Sequence, residues 1–286
     1  MSYREVLSQS AVAISISESP DMSMLGLSED HLRDAMVEIA RHLLALGARL
    51  VYGGDLRANG FSELLFELIA RHRRDADEGD VRVGVANYLA WPVHIGMAND
   101  VLWAAERDVA GLVDLVCLDM DGRNMPMPSR HALPGRLQSS ELDWARGLTA
   151  MRETMRAQTN ARIVLGGRVA NYKGSMPGIA EEALLSLEAD QPLFLLGGFG
   201  GCTRDITETL GMVEPWAASR TAWPGRDGFK GFRVDSLCNG LSSEENGVLA
   251  RTPHIDQAVA LVLRGLLRLQ SANEKRELKR VHDNTV

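Results

Sequence analysis

Cysteine is scarce: Cys117, Cys202 and Cys238 are the three in 286 residues. Neither CxxC nor zinc-finger spacing relates them, which argues against a disulfide framework or a structural metal and fits a reducing, cytoplasmic compartment. No apolar run approaches the ~20 residues that span a bilayer, and the first ten residues lack a basic start followed by an apolar stretch. Export and membrane insertion are therefore not expected. Basic residues do not cluster, and 31 Lys+Arg against 38 Asp+Glu leave a formal charge of −7, a poor match to a nucleic-acid partner. Aromatic residues make up 5% and no heptad stripe marks an assembly surface, so an empty structural shell ranks last and homo-oligomerisation stays open.

Several catalytic signatures are also missing. There is no GxSxG elbow, and His94 and His131 are expected in loops, where they could line a pocket but a lone histidine is more often solvated. Tyr172 stands where a P-loop needs glycine before its lysine, and Gly197 to Cys202 does not complete GxGxxG. Serine-hydrolase, kinase, GTPase and standard dehydrogenase chemistry drop out, and no metal or resident cofactor is implied.

What is present is a rhythm of short apolar runs and longer helical patterns, the order of a mostly parallel open sheet covered by helices on both faces. Strands are expected at Val12–Ser17, Arg49–Tyr52, from Val81 to Val85 onward, Leu112–Leu118, Ala161–Leu165 and Pro192–Leu196. Leu32, Met36, Ile39 and Leu43 recur at helical spacing behind a Ser28 cap, with Gly47 as the stop. Further helices are expected over Phe61–Arg73, Asn99–Val109, Ser139–Thr159, Ile179–Glu188 and from about Arg204 to Leu210. A loop is expected around Trp91, Pro92 and Gly96, and a long one over 119–138, preferred as a lid. Little regular structure is expected from Gly211 to Gly247, where Trp216 and Trp223 read as anchors or a pocket cap. A last helix carries Ile255, Val259, Val262 and Leu266. Residues 1–271 thus form one domain, followed by a charged, disordered tail at 272–286.

Three strands end in a glycine pair: Gly53-Gly54, Gly166-Gly167 and Gly197-Gly198. In a parallel sheet these ends share one edge, where open α/β folds bind ligands and where glycine lets backbone N–H groups approach them. An arginine follows each pair, Arg57, Arg168 and Arg204, and Lys173 shares the second loop. Together they suit a small anionic ligand. The most informative stretch runs from Lys173 through Gly174, Ser175, Pro177 and Gly178 to Glu181 and Glu182. Ser175 is the expected N-cap, Gly178 is placed to contact phosphate or ribose at the helix start, and Glu182 lies one turn on. A carboxylate there suits ribose hydroxyls or an oxocarbenium-like centre, whereas a structural role would leave both glutamates facing water.

These residues resemble the SLOG superfamily, the Rossmann-like group that joins DNA-processing Smf proteins to LOG-type phosphoribohydrolases. They also resemble the SLOG domains found with TIR and SIR2 modules in bacterial conflict systems. The likeness rests on Ile14-Ser15-Ile16-Ser17, Tyr52-Gly53-Gly54 and Pro177-Gly178-Ile179-Ala180-Glu181-Glu182, and covers most of residues 11–210. It implies a nucleotide site that includes Ser17, with phosphate at the glycine-rich helix start and a glutamate four residues beyond the last glycine acting at the ribose. Gly178 and Glu182 have that separation. Nucleoside deoxyribosyltransferases are similar at the same loop. The PGGxGT pattern of LOG-type enzymes is reduced here to Pro177-Gly178-Ile179-Ala180, which favours binding of a nucleotide-derived signal, ADP-ribose-like, over N-glycoside cleavage by Glu182.

Overall fold

Alternation within the strands builds two cores, one on each face of a single sheet. The computed structural model describes residues 5–75, 83–216 and 221–283. Its elements in chain order are β1 (Ala11–Ser17), α1 (Glu29–Ala45), β2 (Arg49–Gly53), α2 (Phe61–Asp75), β3 (Val85–Leu89), α3 (Trp91–Ile95), α4 (Asn99–Asp108) and β4 (Val113–Leu118). There follow β5 (Asn124–Met125), α5 (Met127–His131), α6 (Glu141–Ala157), β6 (Ala161–Gly166), α7 (Gly178–Glu188), β7 (Leu193–Leu196), α8 (Gly201–Thr209), α9 (Ser243–Arg251) and α10 (Ile255–Asp283).

Among the described residues the strands form one sheet in the order β5-β4-β3-β2-β1-β6-β7, parallel except for the β4–β5 pair. Val12, Ile14 and Ile16 of β1 join Leu50, Ile163, Leu165 and Phe194 in a core with α1, α2, α9 and α10. Ala13, Val51 and Ala86 point the other way, onto Met151 and Met155 of α6, while Val164, Leu193 and Leu195 meet α7 and α8. Successive side chains of a strand face opposite sides, so both faces are covered. Each large apolar side chain buried this way is worth about 1.5–3 kcal/mol.

Local signals set the ends of the helices. In α1 the Ser28 backbone N–H donates to His31 Nδ1 at 3.0 Å, Glu29 and Asp30 occupy the first turn, and the helix ends before Gly47, whose φ of +85° few other residues tolerate. In α6 the Ser140 hydroxyl accepts the Asp143 N–H at 3.1 Å and the Asp143 carboxylate accepts the Ser140 N–H at 2.9 Å.

Several expectations need correction. The third strand runs from Val85 to Leu89; Val81 lies outside the described residues. The loop expected around Trp91 contains α3, because Pro92 suits a first helical turn. The segment 119–138 contains β5 and α5. The helix expected from Arg204 begins at Gly201, whose N–H donates to the Asp21 carboxylate at 2.6 Å. The stretch 211–247 holds two short 3-10 turns, Arg226–Gly231 and Val234–Leu237, and the start of α9, which is capped reciprocally by Ser242 and Glu245. Trp223 is buried there and donates its indole N–H to Asp205 at 2.8 Å. Where a disordered tail is expected from residue 272, α10 continues to Asp283. Among the described residues no helix is long and apolar enough to cross a membrane.

α5 is held by Arg130, which has no exposed surface. Its Nε donates to His94 Nδ1 at 2.9 Å, Nη1 to Asn99 Oδ1 at 2.8 Å, and Nη2 to the carbonyls of His94 and Met97. His94, far from being a solvated loop residue, is fully buried and has Nε2 2.7 Å from the Leu118 carbonyl. Accepting at Nδ1 and donating at Nε2 requires the neutral imidazole, and burial pushes its pKa down to about 4. Between the ordinary value of 6.5 and 4 the unfolded chain therefore takes up a proton that the folded one refuses, so stability falls as pH falls through that window. The wild type should lose about 3 kcal/mol more stability than His94→Gln between pH 7 and pH 4, read by urea unfolding at the two pH values. Equal losses would show that the Arg130–His94 contact does not depend on a neutral imidazole.

Candidate functional site

β1 is the point at which chain order reverses: β2 to β4 extend to one side of it, β6 and β7 to the other. Open α/β sheets bind ligands in the crevice beyond such a point. A cavity of about 710 Å³ lies there. Ser17 and Glu18 from the end of β1, Gly53 to Arg57 after β2, Arg168 and Lys173 after β6, and Gly178 and Glu182 of α7 all line it. The opposite wall is apolar: Pro92, Val93 and Met97 around α3, with Trp144, Leu148 and Met151 of α6. Trp144, Leu148, Met151 and Arg152 are spaced i, i+4, i+7, i+8, so one stripe of α6 faces the ligand space. α3 reaches α6 because Gly147 has no side chain to collide with Pro92; a Cβ there would stand 2.6 Å from its Cδ.

The expected residues divide. Ser17, Gly53, Gly54, Arg57, Arg168, Lys173, Gly178 and Glu182 are brought together around the cavity. Gly166 and Gly167 sit just behind it with φ of +68° and +108°; a Cβ on the first would stand 2.4 Å from the Ser17 carbonyl oxygen and on the second 2.3 Å from Cys202 Sγ. They let β1, β6 and α8 close up rather than line the cavity. Gly174 has φ of +111° in the same loop. Ser175 is exposed and does not cap α7, whose cap position is Pro177 with no side-chain bond. The third pair is elsewhere: Gly197 and Gly198 pack under the Ala250 and Thr252 carbonyls. Arg204 follows them away from the cavity, pairing with Glu208 at 3.1 Å and lying over Trp216.

Glu181 and Glu182 are both buried, so neither is a solvated helix-start acid. Glu182 Oε2 accepts from Ser15 Oγ and from Arg162 Nη1, and Arg152 Nε lies 3.7 Å from its Oε1. Arg162 also donates to Ser15 Oγ at 2.7 Å and to Ser186 Oγ at 3.2 Å. Glu181 turns to α6, where Thr149 Oγ1 and Arg152 Nη1 donate to it. Two carboxylates and two guanidiniums thus form one charge-compensated network, of which Arg152 and Glu182 line the cavity. Arg152, Arg162 and Trp144 are absent from the sequence-based site. Arg162 had left a signal, a charge inside the apolar run from Ala161 to Leu165.

The mouth is polar and already paired. Arg168 grips Glu18 with both arms, Nε to Oε2 and Nη2 to Oε1, each at 2.8 Å. Arg57 Nη2 is 3.8 Å from Glu18 Oε1, and its Nε is 3.2 Å from Asp55 Oδ1. Burial raises the Glu18 carboxyl, but the hydrogen bond from Arg168 and the two guanidinium charges outweigh this and leave it below the ordinary carboxylate value. Lys173 Nζ lies 3.5 Å from the centroid of the Trp144 ring, a cation–π contact between the loop after β6 and α6.

A family model described as SLOG cluster2 matches residues 6–239. The chain belongs to this SLOG family. The match begins before β1 and extends past the resemblance read over 11–210, so every residue lining the SLOG cavity falls within it. α9 and α10 lie beyond it. No curated protein matches the chain.

The buried network makes a stability prediction. Arg162→Met leaves Glu182 with an uncompensated negative charge and should cost about 3–5 kcal/mol, while Arg162→Met with Glu182→Gln should recover a substantial part of that loss. Urea unfolding of the two variants checks this. A double variant less stable than the single one would mean that the pair is not mutually compensating.

Proposed function

We propose that this SLOG domain binds a nucleotide-derived small molecule, ADP-ribose-like, with its base against the α3–α6 wall and its phosphates toward Arg57, Arg168 and the start of α7. The observation that carries this reading is that one cavity combines an apolar wall bearing Trp144, on which Lys173 rests, with a mouth bearing Arg57 and Arg168. A volume of about 710 Å³ is of the size that small-molecule sites have. A base that takes the place of Lys173 on the indole would gain about 1–3 kcal/mol from stacking, and the guanidinium forks suit phosphate oxygens.

Binding is favoured over glycosidic cleavage by the surroundings of Glu182. A carboxylate that stabilises positive charge developing on a ribose works through an uncompensated field. Here Arg162 donates to that carboxylate and Arg152 stands 3.7 Å from it, which opposes a cationic transition state. The second reading, an N-glycosidase using Glu182, keeps one observation in its favour: Gly178 and Glu182 line the same cavity.

Two measurements test these readings. Calorimetry should show that Trp144→Leu weakens ADP-ribose about tenfold or more while ribose 5-phosphate, which has no base, changes less than threefold. Equal losses for both ligands would remove the base from the indole. Chromatography for base release should find none from nucleotides with wild type. Base release by wild type that falls about a hundredfold or more in Glu182→Gln, with melting curves showing the variant still folded at the assay temperature, would establish the enzymatic reading instead.

A further inference from the structure

The two arginines nearest the mouth are occupied by the protein's own acids. Glu18 follows directly on β1, where it meets Arg57 from the loop after β2 and Arg168 from the loop after β6, and all three line the cavity. Its carboxylate takes both arms of the Arg168 fork at 2.8 Å, the geometry by which a guanidinium recognises a bidentate anion from outside. The Glu18 side chain is 31% exposed and that of Arg168 43%, so their pairing is in contact with solvent and exchangeable. By contrast, the pairs that Arg152 and Arg162 make with Glu181 and Glu182 are buried.

We infer that Glu18 determines which anions the cavity accepts: it is a tethered carboxylate on the Arg57–Arg168 site, and a ligand must displace it with a phosphate group. This deepens the binding reading above and concerns the same site. A ligand carboxylate would exchange like for like, one negative charge for another, and gain no Coulomb energy from the two cations. A phosphomonoester or diphosphate brings a larger charge and more acceptor oxygens to the same fork and gains by the exchange. Glu18, once released, remains nearby as a negative charge, so part of the gain is lost to repulsion. Removing that charge while keeping the side chain's shape should therefore strengthen binding of every anion at the mouth and leave neutral ligands alone.

The test uses Glu18→Gln in the full chain. The fold should tolerate it because neither Glu18 nor Arg168 is buried, and melting curves check this. Calorimetric titration with inorganic pyrophosphate should show binding about tenfold or more tighter in Glu18→Gln than in wild type. Acetate should bind detectably only to the variant, and adenosine should bind both proteins alike. Adding Arg168→Ala to Glu18→Gln should cancel the gain, which separates a freed guanidinium from a generally looser mouth. Pyrophosphate binding that is unchanged or weaker in Glu18→Gln would overturn the inference. So would an equal gain for adenosine. If ADP-ribose binds neither protein while pyrophosphate responds as expected, the nucleotide reading fails and Glu18 keeps its role at an anion site. If ADP-ribose binds both proteins with one affinity, the role of Glu18 fails and the nucleotide reading stands.

Discussion

Arg162 carries a charge in the middle of a parallel sheet with no exposed surface, and the position of α7 follows from how that charge is met. Burial disfavours its protonated form, and Glu182, opposing this, supports it. A guanidinium there needs a carboxylate and further acceptors close by, and Glu182, Ser15 and Ser186 supply them. Ser15 lies on β1, while Glu182 and Ser186 are one turn apart on α7, so the network ties the central strand to that helix. With Glu182 anchored in this way, the first residue of α7, Gly178, stands at the cavity. Arg152 then fills the space beside it: a Cβ at position 178 would lie 2.5 Å from Arg152 Nη2. One requirement, the compensation of a buried charge, thereby places both the helix start and the α6 stripe around the ligand space.

Charge at the mouth is handled differently. There the partners are partly exposed, the contacts are between loops, and Lys173 rests on an aromatic face rather than on an acid. Such pairs contribute little to stability because water screens them and the side chains give up conformational freedom to form them. They are correspondingly easy to exchange. The two layers differ in kind: the inner one fixes geometry and the outer one is open to rearrangement.

The rhythm of β1, α1, β2, α2 and of β6, α7, β7 was legible because each strand is a short apolar run and each of these helices repeats apolar residues at 3 to 4 spacing. All three glycine pairs end parallel strands on one edge, as expected, but only Gly53 and Gly54 line the cavity. A glycine pair also permits close packing: Gly166 and Gly167 let β1, β6 and α8 close up, and Gly197 and Gly198 serve the chain around Thr252, contacts with no local signature. The α8 start was missed by three residues because its acid, Asp21, lies far away in sequence. α3, α5 and α9 were read as loop because they are short or follow glycine- and proline-rich chain; α5 depends on the distant pairing of Arg130 with His94. Of the site, the residues on strand-end loops were readable. Trp144 and Arg152 were not, since a helix stripe looks the same whether it faces a core or a cavity.

The placement of Glu182 shows how a glycine-to-glutamate spacing can follow from packing alone. The spacing is set by one helical turn, and it persists wherever a carboxylate at that turn is needed for packing. In this chain the carboxylate has a structural task, because removing it would strand Arg162 in the sheet. A glutamate so engaged can still meet a ribose hydroxyl with an oxygen that lines the cavity, but its charge is shared with two guanidiniums. Recognition of a hydroxyl needs only an acceptor, whereas stabilising an oxocarbenium-like centre needs net negative potential at that point. With Arg152 and Arg162 beside Glu181 and Glu182 the formal charges sum to zero, which is the physical ground for proposing recognition over bond cleavage.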